Sequence, residues 1–158
     1  MPKKKYPKNI ERFINHVKHQ CDLLDVEFKL TKGYSVYTGE GNSCFGFFSP
    51  PNEKHKGLLP NENHKGLLKV AIGKKTREEW ILTLAHEYAH MLQWFNQDKI
   101  YEDFHDNEDV YFDLEIQTEK EALKILTGFD IKITDSLKRK SDKYIRQIRE
   151  LLIESKKK

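Results

Sequence analysis

The residues best placed to do chemistry are His86-Glu87-Tyr88-Ala89-His90, two imidazoles four positions apart with a carboxylate between them. On a helix that spacing puts both histidines on one face, where they can share a metal ion, with the glutamate beside it as a base. At about 100° per residue, Ile81, Leu84, Tyr88, Met91 and Phe95 form one apolar stripe. His86 and His90 point to nearly the opposite side, near Glu79, Thr83 and Gln97. Core histidines bonded to backbone carbonyls would lie on the packed stripe, and these do not. Exposed surface histidines would leave the motif without a purpose.

A zinc site of this kind takes a third protein ligand and keeps an open position. The next helical segment offers Glu119. On the same helical arithmetic Phe112, Ile116, Leu123 and Leu126 all project within about 60° of it, so its carboxylate emerges from an apolar stripe. An ionised carboxylate there is costly unless a cation or strong donors meet it, and a metal held by His86 and His90 would be that cation. Glu115, one turn earlier on a similar face, is the second choice, and Glu121 points away.

With His-Glu-x-x-His followed about thirty residues later by Glu119-Lys-Glu-Ala122, the chain resembles the small zinc metallopeptidases of the gluzincin kind. In motif it is most similar to the ImmA/IrrE-like group, in which the first glutamate of that segment binds zinc. The pattern departs at Leu123, where that group usually has Asn or Asp. Metzincins match poorly, because Gln93 and Asn96 stand where their motif has Gly and His. The resemblance covers roughly residues 67–126. It implies one zinc per chain held by His86, His90 and Glu119, and a zincin-like fold in which an edge strand, here Leu67–Ile72, aligns an extended peptide by backbone pairing. The expected chemistry is peptide hydrolysis: zinc lowers the pKa of a bound water toward about 7 and Glu87 takes the proton. Tyr101, His105 and Tyr111 are candidates to stabilise the oxyanion, each also read as an ordinary loop or packing residue.

The elements that must hold these residues follow from patterning. Ile10, Phe13, Ile14, Val17 and Cys21 predict an amphipathic helix over about 9–24. Alternation at 26–30 and 34–38, the turn at Gly39–Asn42 and the run Cys44–Phe48 predict a three-strand meander. Residues 52–60 and 61–69 are an imperfect nine-residue tandem repeat, read as a lengthened loop with His55 and His64 at its surface. Leu67–Ile72 reads as a strand, and Thr76-Arg-Glu-Glu79 as a capping box opening the motif helix at Arg77, which runs to Phe95. A helix over about 112–127 capped by Gly128, a short strand at 131–133 and an amphipathic helix over about 136–155 complete an α+β domain.

The length of 158 residues fits a single zincin-like domain with a basic arm at 1–8. Charged residues make up 34% against 37% apolar, so one small core under a charged skin is expected. No segment has the roughly 20 apolar residues of a membrane span, and no apolar run follows the first lysines as in a secretory signal. Cys21 and Cys44 lie outside any CxxC pattern, and together these features favour a cytoplasmic protein without membrane association. A net charge of +3 is too mild to argue for nucleic acid, although basic residues outnumber acidic ones from Lys132 onward. Residues 102–121 hold nine acids against Lys120; they read as a solvated face, and as a wall of the cleft they would favour basic substrates. The expected partner is a protein or peptide substrate. The alternative function is a zinc-containing regulatory or protein-binding domain with little turnover.

Overall fold

A computed structural model describes residues 6–33, 36–39, 42–51, 65–73, 75–97 and 107–157. The order of elements is α1 (Lys8–Leu23), β1 (Val26–Thr31), β2 (Val36–Gly39), β3 (Asn42–Cys44), β4 (Gly46–Ser49), β5 (Gly66–Ala71), α2 (Arg77–Phe95), α3 (Glu108–Gly128) and α4 (Asp135–Lys156). The class is α+β, as expected. Tyr101, His105, His55, His64, most of the tandem repeat and residues 1–5 of the basic arm lie outside the described residues.

The sheet differs from a meander. Three strands lie in the order β1-β5-β4, with β1 parallel and β4 antiparallel to β5, while β2 and β3 pair only with each other. The strand before the motif helix is therefore the central one, not the edge, and β4 takes the edge beside α2. The reason is visible in burial: Leu68, Val70 and Ala71 are inaccessible, and the nearly continuous apolar run of β5 suits a strand covered on both sides. Thr31 and Ala71 end the parallel register together, and Gly73 follows where a Cβ would lie 2.0 Å from the Lys32 carbonyl oxygen.

α2 runs against β4 and β5 on one side and α3 and α4 on the other. Its apolar stripe holds as expected through Ile81, Leu84, Tyr88 and Met91, all buried, whereas Phe95 is exposed at the helix end. Trp80, Leu82, Ala85, Ala89 and His86 are buried as well, so this helix is packed nearly all round. The capping box forms: Thr76 Oγ1 accepts from the Glu79 amide at 3.3 Å, and the Glu79 carboxylate accepts from the Thr76 amide. Arg77 and Phe95 bound the helix as the sequence predicts.

α3 begins at Glu108, four residues earlier than its apolar pattern, because Asn107 caps it by accepting from the Asp109 amide at 2.9 Å. Gly128 is its last helical residue rather than the cap; the chain leaves through Asp130, with φ of 59°. Residues 131–133 form no strand. Ile131 is buried instead, its amide donating to the Leu126 carbonyl at 3.0 Å, and Thr134 then caps α4.

Candidate metal centre

α2 and α3 bring His86, His90, Glu115 and Glu119 together between them. Their register follows from anchors on the opposite side of α2, where the Tyr88 hydroxyl and His16 Nε2 of α1 lie 3.0 Å apart and Phe13 packs edge-on against the Tyr88 ring. With Tyr88 turned to α1, the motif histidines must face α3.

The Nε2 atoms of both histidines converge on one carboxylate. His86 Nε2 is 3.0 Å from Glu115 Oε2, and His90 Nε2 is 3.0 Å from Glu115 Oε1. One ligand atom from each of His86, His90 and Glu115 lies within 4.8 Å of the others, so this buried trio could hold a metal ion. Glu119, the first choice from sequence, is also in the cluster, 97% buried, with Oε2 2.8 Å from His86 Nδ1. It thus meets the far nitrogen of His86, while Glu115, the second choice, lies between the two rings. Glu121 is exposed, as expected.

A chain of hydrogen bonds sets the tautomer of His90. Thr118 Oγ1 donates to the Leu114 carbonyl at 2.6 Å and so accepts from Gln93 Nε2 at 2.9 Å. That orients Gln93 Oε1, 3.0 Å from His90 Nδ1, to accept the ring proton. Nε2 then carries a lone pair unless it binds a second proton, and it faces a carboxylate oxygen. His86 is in the same position twice over, with a carboxylate oxygen at each nitrogen. Such an arrangement requires a cation, either protons on the rings or a metal ion between them.

The electrostatics agree. Burial pulls the His86 imidazole down, but the hydrogen bonds to Glu115 and Glu119 outweigh it and its pKa is pushed up to about 10. Glu115 is raised by burial and lowered more strongly by His86 and His90, which hold it well below the usual carboxylate range. Glu119 Oε1 is buried with no partner among the described residues. The donor set, two imidazoles and a carboxylate with carboxylate or amide groups on the far nitrogens, fits a borderline metal such as zinc.

Glu87 lies on the floor of a cleft of about 870 Å³ lined by β4, α2, α3 and α4. Burial raises its pKa, the positive charge of His90 and His86 lowers it, and the Phe48 amide of β4 donates to its carboxylate. Gly46 lets β4 approach α2 this closely: a Cβ there would be 2.8 Å from Thr83 Cγ2, one turn before the motif.

Sequence reasoning missed Tyr144. It reads as part of the apolar side of α4, yet its hydroxyl donates to Glu115 Oε2 and its ring stands edge-on to His86 at 5.4 Å between centroids. The available signal was the phenol itself, an apolar body with a polar tip that seeks a partner when buried. Tyr111, one of the three oxyanion candidates, also lines the cleft and is 39% exposed. No protein-family model, curated protein or solved structure matches this chain.

Proposed function

We propose that the chain is a zinc-dependent peptidase, with His86, His90 and Glu115 holding the ion, Glu119 orienting His86, and Glu87 serving as general base. The observation that carries this reading is the convergence of two imidazole Nε2 atoms and one buried carboxylate beside a separate glutamate that opens on a cleft. A bound zinc ion supplies Lewis acidity, acidifying a water and polarising a carbonyl. The chain's own residues do the rest. Glu119 and Gln93 fix the two rings so that both Nε2 lone pairs face one point. Glu87, close to the site but outside the ligand set, accepts the proton of the attacking water and returns it to the leaving amine. The Tyr111 hydroxyl lines the cleft and is the candidate donor to a developing oxyanion, while the single proton of the Tyr144 hydroxyl goes to Glu115, which it orients.

The test is elemental analysis and peptide cleavage on wild type, Glu87→Gln, Glu115→Ala and Glu119→Ala. One zinc per wild-type chain is expected, with the metal kept by Glu87→Gln and hydrolysis reduced by roughly 10²-fold or more. Full hydrolysis by Glu87→Gln would sink the general-base role. Zinc bound with no cleavage of any protein or peptide would favour the second reading, a zinc-containing protein-binding domain.

A further inference from the structure

The edge strand meets the metal-bearing helix at a glycine. The Ala71 amide donates to the Phe45 carbonyl at 2.8 Å, so Phe45 belongs to a hydrogen-bonded pair of the antiparallel β4–β5 ladder. Such pairs alternate with non-bonded ones, and Gly46 and Phe48 therefore turn their main-chain groups away from β5. An amide facing that way needs a partner outside the sheet, and the Phe48 amide has one in the Glu87 carboxylate. Three contacts then follow one another along α2. Thr83, Glu87 and Trp94, at i, i+4 and i+11, share one side of the helix. A Cβ on Gly46 would be 2.8 Å from Thr83 Cγ2, the Phe48 amide bonds Glu87, and the Phe48 and Trp94 ring centroids are 5.9 Å apart. Two strand residues advance about 6.6 Å and four helical residues about 6 Å, so a strand seated on Thr83 at Gly46 reaches Glu87 at Phe48. The backbone of Gly46 lies outside the left-handed region, so glycine is needed here for space alone, as where another segment approaches a strand closely.

We infer that Gly46 is a positioning residue for the general base: its missing side chain seats β4 on Thr83, and the Phe48 amide then holds one oxygen of the Glu87 carboxylate while the other faces the attacking water. A carboxylate has acceptor capacity on both oxygens, so one is tied to the strand and the second stays basic. An alanine at 46 would lift the strand from the helix, because the Lys69 carbonyl oxygen at 3.1 Å and Val70 Cγ2 at 3.2 Å crowd the added carbon from the neighbouring strand. The inference rests on the peptidase reading for the role of Glu87, but not for the seating of β4.

The experiment compares the full-length zinc-loaded chain with Gly46→Ala, Gly46→Ala/Thr83→Ser and Gly66→Ala. Thr83→Ser deletes Cγ2 and keeps the hydroxyl that donates to the Glu79 carbonyl. Gly66→Ala controls for general damage to the sheet: its Cβ would lie 2.9 Å from Pro51 Cδ and Val26 Cγ2, outside the cleft. Two readouts are taken: exchange of the Phe48 amide by NMR, relative to the Ile72 amide that bonds the Thr31 carbonyl, and kcat and KM for a peptide that the wild type cuts. Gly46→Ala is expected to speed Phe48 exchange at least tenfold against this reference and to lower kcat by about tenfold, with zinc content and KM unchanged. Thr83→Ser should restore most of both, and Gly66→Ala should lower the unfolding midpoint while moving neither. Wild-type kcat in Gly46→Ala, unchanged Phe48 exchange, no recovery in the double variant, or an equal loss of kcat in Gly66→Ala would overturn the inference. Should Gly46→Ala fail to fold, Glu87→Ala decides: faster Phe48 exchange upholds the contact and unchanged exchange overturns it. A wild type that cuts no peptide, with Phe48 exchange still responding to Gly46→Ala, upholds the seating of β4 and overturns the peptidase reading.

Discussion

At the scale of single residues, the metal cluster separates two kinds of carboxylate. Glu115 faces both Nε2 atoms and Glu119 faces only the outer nitrogen of His86. Removing a ligand should abolish tight binding, whereas removing the group that orients a ligand costs about 10–100-fold in affinity. Glu115→Ala is therefore expected to purify without zinc, and Glu119→Ala to bind it 10–100-fold more weakly in a competition titration with a chelating dye. The reverse order would restore Glu119 as the third ligand. Tyr144→Phe removes a donor to Glu115 while keeping the ring; its expected signature is a drop in hydrolysis with zinc stoichiometry intact, read by turnover on the same preparation.

At the scale of elements, the helix ends set where the site residues fall. The Thr76 cap fixes the start of α2 ten residues before His86, and Thr76→Ala should lower stability by about 1 kcal/mol in urea unfolding. α2 ends through Gln97, whose φ of 55° belongs to the left-handed region that a side chain opposes. Gln97→Gly should raise stability by about 1 kcal/mol by the same measurement, and a loss would show that the Gln97 side chain contributes something the backbone does not explain. The patterning that named α2 and α4 worked because each helix buries a stripe at helical spacing. It failed for the sheet because the parallel pairing of β1 with β5 joins segments far apart in sequence, and alternation within a strand does not say which neighbour it meets.

For the molecule as a whole, the buried cluster ties folding to pH and metal. In the metal-free protein the His86 pKa is raised from 6.5 to about 10. Its stabilising protonation is complete below about pH 6.5 and lost as pH rises toward 10. Glu115, lowered from 4.5, contributes in the opposite sense: its stabilisation is present above that value and lost as pH falls. Glu87, raised by burial from 4.5, contributes stability that is complete below that value and lost as pH rises above it. The melting temperature of metal-free protein should therefore fall between pH 6.5 and 10. Zinc should flatten that limb, because the ion replaces the proton between the rings, and at 100 times its Kd should add about 2.7 kcal/mol. Calorimetric scans across that pH range with and without zinc decide the matter; an equal alkaline decline in both samples would contradict metal binding at these histidines. Among the described residues no helix is long and apolar enough to cross a membrane.

The sequence alone determined that His86, Glu87 and His90 share a helix from Arg77 to Phe95, since spacing and capping are local and a helix enforces them through its own hydrogen bonds. It also brought Glu115 and Glu119 to one face of the next helix, because the same periodicity applies there. Only the tertiary structure decided which of the two stands between the imidazoles. That depends on the rotation of α3 against α2, which is set by packing across the whole interface rather than by any local preference. The same holds for Tyr144, placed beside the cluster by packing of a helix whose own pattern specifies a buried side but not what it is buried against. The edge strand, likewise, became β4 rather than β5 through a pairing that closes over distance in the chain.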